Sequence, residues 1–298
     1  MHDLIDRYPT RVLDTPALID RTDPVVWTSD ADPEILGFES RGYLHRTGAI
    51  SPDTAARCLA EITRIEHDPD LRGDERIIRE ESGEAVRSVF DIMNLSAIVA
   101  EAVEESGAAH LARRILGSEV YIHQSRLNHK PGFVGGAFYW HSDFETWHAE
   151  DGMPAPRAVS ASIALTANET YNGPLMIVPG SQRVFIQCRG ATPPDHHLES
   201  LVTTTPRIGA PSESAVTEVV GTNGIDVVTG PAGSMTMFDS NVLHASGGNI
   251  TPFDRANIFV VFNSVENRLQ DPFAAAAPRP LHLAARELPE PRRQPFPQ

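Results

Sequence analysis

The sequence predicts a mainly β protein, a β-sandwich or barrel with helical padding, and three observations carry that reading. Helix-type patterning is confined to the first 120 residues. From Tyr121 onward, short β-branched and aromatic runs alternate with Gly, Pro and Asn turns. Nowhere do strands alternate with crossover helices, as a parallel sheet would demand. At 298 residues, 41% apolar and 22% charged, the chain is long enough for a sizeable core, and it holds no internal repeat.

Taken in order, residues 1–50 read as extended and loop-rich, with many Pro, Asp and Arg. Ser51-Pro52-Asp53 starts a helix: Ser51 suits the N-cap and Pro52 the first turn, and Leu59, Ile62 and Ile65 follow at helical spacing. Residues 66–85 are a charged surface stretch, and Ser96 to Leu116, rich in Ala, Glu and Leu, reads as a second helical block. Strands are expected at Val120–Arg126, Ala158–Thr166, Leu175–Val178, Ser234–Asp239 and Asn257–Val265. Between them, the polar segment 188–230 reads as a long excursion or lid. From Pro272, AAAAPRP and PEPRRQPFPQ read as a tail or an extended wrap. The expected organisation is a single domain over 1–298, with padding in 1–120, a β core in 121–268 and the tail in 269–298.

The net charge of −15 opposes nucleic-acid binding, which needs a basic footprint. No apolar run approaches the roughly 18 residues of a membrane helix. The opening MHDLIDRYPT lacks a basic region followed by an apolar core, so the expectation is a cytoplasmic protein without a secretory leader. Cys58 and Cys188 lie far apart in dissimilar contexts and are expected to be free thiols. Lys130 is the only lysine against 24 arginines, which reads either as a position where an ammonium is wanted or as the chance survival of one codon.

The stretch FYWHSDFETWH, residues 138–148, concentrates the chemistry. Residues two apart on a strand share a face, so His141 and Asp143 are expected to present an imidazole and a carboxylate side by side. His244, after the strand-like SMTMFDS and before ASGGN, is the best third ligand, and Arg255 follows eleven residues later. Two His and one carboxylate with open positions is the ligand set of non-haem Fe(II) oxygenases. The metal must hold a bidentate 2-oxoacid and still accept O2, so only three protein ligands are admissible. The distal carboxylate of 2-oxoglutarate then calls for a fork-shaped cation such as Arg255. Of the competing groups, His148 and Glu150 sit in what reads as a turn, His123 and His129 as core or supporting groups, and His196 and His197 as solvated.

The run YIHQSRLNHKPGFVGGAFYWHSDFETWHAEDGMPAPRA, with LTANETYNGPLMIVPGS and GNITP, closely resembles the ectoine hydroxylases of the phytanoyl-CoA dioxygenase superfamily. The resemblance implies a double-stranded β-helix, or jelly roll, and Fe(II) held by His141, Asp143 and His244. It implies that Arg255 grips 2-oxoglutarate, with Arg126, Asn128, Lys130, Phe138, Ser160 and Ser246 around it. It places the substrate against Gln124, Thr146, Trp147, Phe238 and Phe259. Residue alternation agrees in part: Arg255, Asn257 and Phe259 fall on one strand face, and Ser160 and Ser162 form a small-residue face. Aromatic walls suit a delocalised cation, and Gln and Thr suit polar anchoring. The implied reaction converts ectoine to 5-hydroxyectoine with O2, releasing succinate and CO2. Asp143 favours hydroxylation over halogenation, which needs a small residue at that position. The resemblance also implies a homodimer. Departures at Gln182, Gly136 and Ala245 remove no ligand, and Glu145 and His148 read as structural. The alternatives are the same chemistry on another small cyclic amino acid such as proline, a metal-binding jelly roll without turnover, or a zinc hydrolase.

Overall fold

The computed structural model describes residues 6–81 and 85–286, so the PEPRRQPFPQ end read above lies outside the described residues. Two antiparallel sheets face each other. The larger has seven strands, in the order Tyr43–Arg46, Met235–Asp239, Ala158–Ala164, Arg255–Ser264, Val120–Lys130, Val86–Phe90 and Ile77–Arg79. The smaller runs Asp226–Val228, Leu175–Ile177, His244–Ser246 and Phe138–His141, and a two-stranded ribbon pairs Leu18–Asp20 with Val184–Ile186. This is the mainly β sandwich of the jelly-roll type that the sequence predicts.

Strand alternation assigns the two faces of the large sheet. On the central strand, Ala256, Ile258, Val260 and Phe262 join the main apolar core, together with Leu127 and Ile163 from its neighbours. Helices Pro52–His67, Ala97–Glu105 and Ala108–Leu116 cover that face with Ile62, Ile65, Val99, Leu111 and Ile115. Arg255, Asn257 and Phe259 point the other way, into the space between the sheets. All ten residues of this strand are buried, as expected for one covered on both faces.

The Pro52–His67 helix begins as predicted, with the Thr54 N–H donating to Ser51 Oγ at 3.1 Å. Several expectations need correction. The helical block 96–116 is two helices, because Gly107 takes a left-handed φ of 68° and ends the first before the second begins. The first fifty residues are not all extended: Asp32 caps a helix Pro33–Arg41, and Tyr43–Arg46 forms an edge of the large sheet. The charged stretch 66–85 includes the strand Ile77–Arg79. The segment 188–230 holds helices His196–Ser200 and Glu213–Asn223, and its last residues supply a strand of the smaller sheet. Pairing also extends Val120–Lys130 four residues beyond its expected end, while the last strand opens at Arg255, as its alternation with Asn257 and Phe259 implies. No helix among the described residues is long and apolar enough to cross a membrane.

Candidate active site

His141 and Asp143 are adjacent for a different reason from the one the sequence suggested. His141 ends its strand, and Ser142 caps a helical turn, accepting the Glu145 N–H at 3.3 Å. Asp143 therefore stands in the first turn of a helix rather than on the strand. His244 opens its own strand and pairs in register with His141, bringing the two imidazole centroids to 4.2 Å. Asp143 Oδ1 lies 3.7 Å from His141 Nε2 and 4.0 Å from His244 Nε2.

The hydrogen bonds of the cluster prepare it for a cation. Nδ1 of His141 meets the Tyr139 carbonyl at 2.6 Å, and Nδ1 of His244 meets the Val242 carbonyl at 3.1 Å. A carbonyl only accepts, so each Nδ1 carries the proton and each Nε2 presents a lone pair to the centre. Burial and the neighbouring His141 push His244 down to about 4, which keeps the ring neutral. Burial alone would raise Asp143, but His244, His141, Arg126 and the Ser160 hydroxyl outweigh it and hold the carboxylate below its usual range. Three donor atoms within 4.8 Å of one another, two neutral and one anionic, can hold a divalent metal.

Two cavities meet at this cluster, and Arg126, Phe138 and His141 line both. The smaller is walled by Asn128, Lys130, Ser246, Arg255 and Phe259, with His244 at its end. It is rich in buried basic side chains: among the described residues none of Arg126, Lys130 and Arg255 forms an ion pair with a carboxylate. Arg255 is braced by Asn257 Oδ1 at 3.2 Å, Ser246 Oγ at 3.0 Å and the Gly173 carbonyl. Burial lowers it to about 10. Lys130 Nζ donates to the carbonyls of Gly136 at 2.7 Å and Gly247 at 2.6 Å.

The lining of the larger cavity includes Gln124, Thr146, Trp147 and Asp143, with Arg11, Glu150, His196 and Arg279 among its other residues. Three residues associated with the site by resemblance lie around it without lining the larger cavity. Phe259 faces the smaller cavity. Phe238 lies behind the metal cluster, 4.9 Å from the His244 ring, and lines neither cavity. Ser160 donates to Asp143 Oδ2 at 3.1 Å and also lines neither.

The rival ligand pair is engaged elsewhere. His148 is bonded at Nδ1 to the Met153 carbonyl and at Nε2 to Asp6, and stacks on Phe273 at 4.0 Å. Glu150 meets Arg11 and His196. Both belong to a buried π-helical turn, Trp147–Asp151, rather than an exposed one. His196, expected in solvent, is buried on Glu150, whereas its neighbour His197 is half-buried. His123 is buried 3.2 Å from Asp151, and His129 packs near Asp254. Arg11 and Arg279 carried no sequence signal, since each sits in a Pro-rich stretch without periodicity.

Comparison with known proteins now bears on this geometry. The phytanoyl-CoA dioxygenase (PhyH) family pattern matches residues 38–257. An ectoine dioxygenase of Nocardia farcinica is 52% identical over 286 residues, covering 96% of this chain and 95% of its own. One of Streptomyces anulatus is 48% identical, covering 95% and 96%. EctD from S. alaskensis, solved with 2-oxoglutarate and 5-hydroxyectoine, superposes with a TM-score of 0.84 at 41% identity, over 95% of this chain and 96% of its own. The same protein with bound Fe gives 0.82 at 40% identity, covering 95% and 96%. The chain belongs to the phytanoyl-CoA dioxygenase family, alongside the ectoine dioxygenases.

Proposed function

We propose that this protein hydroxylates ectoine to 5-hydroxyectoine, consuming 2-oxoglutarate and O2 and releasing succinate and CO2. The observation that carries the reading is a three-ligand cluster at the junction of two cavities, one lined by basic side chains without a carboxylate partner among the described residues and the other by Gln124, Thr146 and Trp147. Ferrous iron, held by His141, Asp143 and His244, supplies the binding and reduction of O2.

The chain's own residues supply geometry and charge. Arg255 receives the distal carboxylate of 2-oxoglutarate as a braced fork, with Lys130 and Arg126 adding positive charge and Ser246 and Asn128 polar edges. Phe138 lines both cavities. In the larger cavity the indole of Trp147 faces the delocalised cation of ectoine, and Gln124 and Thr146 hold its polar edge. Gln124 is oriented by its own bond to the Leu283 carbonyl at 2.6 Å. The substrate carboxylate finds its cation in Arg279, whose Nε and Nη2 are committed to Asp151 while Nη1 has no partner among the described residues. Phe238 and Phe259 back the metal cluster and the cosubstrate, and Ser160 orients Asp143. The segment 188–230 acts as the lid that excludes water. The proposal includes one oxygenase domain, a homodimer and the cytoplasm, as the family resemblance implies.

The test is ectoine-dependent succinate release with Fe(II) and 2-oxoglutarate supplied. Asp143→Ala is expected to abolish hydroxylation. An Asp143→Ala enzyme that still consumed 2-oxoglutarate and hydroxylated ectoine normally would sink the ligand assignment.

A further inference from the structure

The reading above leaves Glu145, Glu150 and Arg11 without a role, although all three are buried and charged. Their geometry supplies one. Arg11 Nε and Nη2 donate to the two oxygens of Glu145, at 2.9 and 2.7 Å. Its Nη1 donates to Glu150 Oε1 at 2.5 Å and to Thr192 Oγ1 at 3.1 Å. Four of the five guanidinium N–H groups are therefore committed within the chain, so this side chain is a connector more than a ligand for anything bound.

The connection joins three segments. Glu145 and Glu150 belong to the turn that starts at Asp143 and carries Thr146 and Trp147. Thr192 belongs to the excursion, as does Gly209, where the guanidinium occupies the space a Cβ would need. The third segment is held at both its backbone and side chains: the Arg11 N–H donates to the Cys188 carbonyl, and Thr10 Oγ1 bonds Glu145 and accepts the Cys188 N–H. His196 reaches the same Glu150 oxygen at 2.9 Å. Arg11 also takes a left-handed φ of 60°, an unfavourable conformation for a residue with a Cβ. Such strain persists where the surroundings over-determine it.

We propose that Arg11 is a positioning residue of the larger cavity, a clamp that fastens the Thr146–Trp147 wall to the 188–209 excursion. Substrate binding and its coupling to cosubstrate consumption then depend on Arg11, while the Lys130, Ser246 and Arg255 end of the smaller cavity, which the clamp does not bond, does not. This inference rests on the ectoine hydroxylase reading for its kinetic consequences and on geometry alone for its structural ones.

The decisive variant is Arg11→Lys, which keeps the charge but cannot span both glutamates and Thr192. The Michaelis constant for ectoine should rise at least tenfold and that for 2-oxoglutarate should stay within twofold. A larger fraction of 2-oxoglutarate should be consumed without hydroxylation. Amide hydrogen exchange in 188–209 should accelerate tenfold or more, with no change in Arg255–Ser264. Unchanged ectoine binding together with unchanged exchange in 188–209 overturns the clamp. Should Arg11→Lys fail to fold, Thr192→Val decides, since it cuts only the hydrogen bond from the guanidinium to the excursion. Faster exchange in 188–209 and a several-fold higher ectoine constant support the clamp, and no change in either overturns it. A wild-type enzyme that released no succinate on addition of ectoine would instead defeat the substrate reading, and the exchange comparison would still decide the clamp.

Discussion

Lys130 stands out for the company it keeps. Its ammonium is buried, bonded to two backbone carbonyls, and set 4.9 Å from the centre of the Phe138 ring. Burial first, and then the charges of Arg255 and Arg87, push it down from 10.5 to about 6, and Glu80 only partly opposes them. Arg126, His141 and His244 share the same cavity. The ligand-free amine is therefore largely neutral at pH 8, and an arriving dicarboxylate restores its proton. Binding of 2-oxoglutarate should take up close to one proton between about pH 6 and the ordinary lysine range, and should weaken as pH rises through that window. Anaerobic calorimetry in buffers of different ionisation enthalpy reads this directly, and Lys130→Met should abolish the uptake. The unfolded chain holds the proton that the folded one lacks in this window, so Lys130 makes the ligand-free protein more stable as pH rises from 6 towards 10. A proton uptake identical in wild type and Lys130→Met would remove Lys130 from the account.

Individual elements explain why some features were legible in the sequence and others were not. The helix of Pro52–His67 was legible because its cap, first-turn proline and apolar spacing agree. The break at Ser106–Gly107 was not, because Val99, Ala102 and Val103 on one side and Leu111, Ala112 and Ile115 on the other bury into one core. Periodicity reads straight through such a break, and a lone glycine is a weak stop signal. Its conformation is testable: Gly107→Ala forces a Cβ into the left-handed region at a cost of about 1–2 kcal/mol. Thermal unfolding should shift down by a few degrees, with Gly107→Asn recovering part of the loss. Equal stability of Gly107→Ala and wild type would mean the two helices do not need this break. The cluster able to hold a metal was legible by residue type and spacing, yet the shared-face argument for His141 and Asp143 failed because Ser142 converts the strand into a helical turn. Gln124, Thr146 and Trp147 converge on one cavity, but Arg279 could not be anticipated, since only tertiary packing brings it near residue 151.

At the scale of the whole molecule, the described part of the C-terminal segment closes the protein rather than trailing from it. Arg279 grips Asp151 through two bonds of 2.8 and 2.6 Å, the Ala285 N–H donates to the His123 carbonyl, and Phe273 stacks on His148. Asp151 is fully buried and pulled below its usual range, burial being outweighed by Arg279 and His123. Removing only the arginine strands that carboxylate, so Arg279→Met should lose about 3–5 kcal/mol. That loss alone cannot distinguish a structural prop from a substrate contact. The double variant Asp151→Asn, Arg279→Met can, because it removes the unpaired charge and keeps a partner for His123. Its melting temperature should recover most of the loss, while the Michaelis constant for ectoine stays raised at least tenfold and that for 2-oxoglutarate is unchanged. If ectoine binding recovered along with stability, Arg279 would be a strut for the cavity wall and the substrate carboxylate would need another cation. With four of the five Arg11 N–H groups committed to its own chain, that cation would be Arg126, whose buried Nε has no partner among the described residues and which lines both cavities.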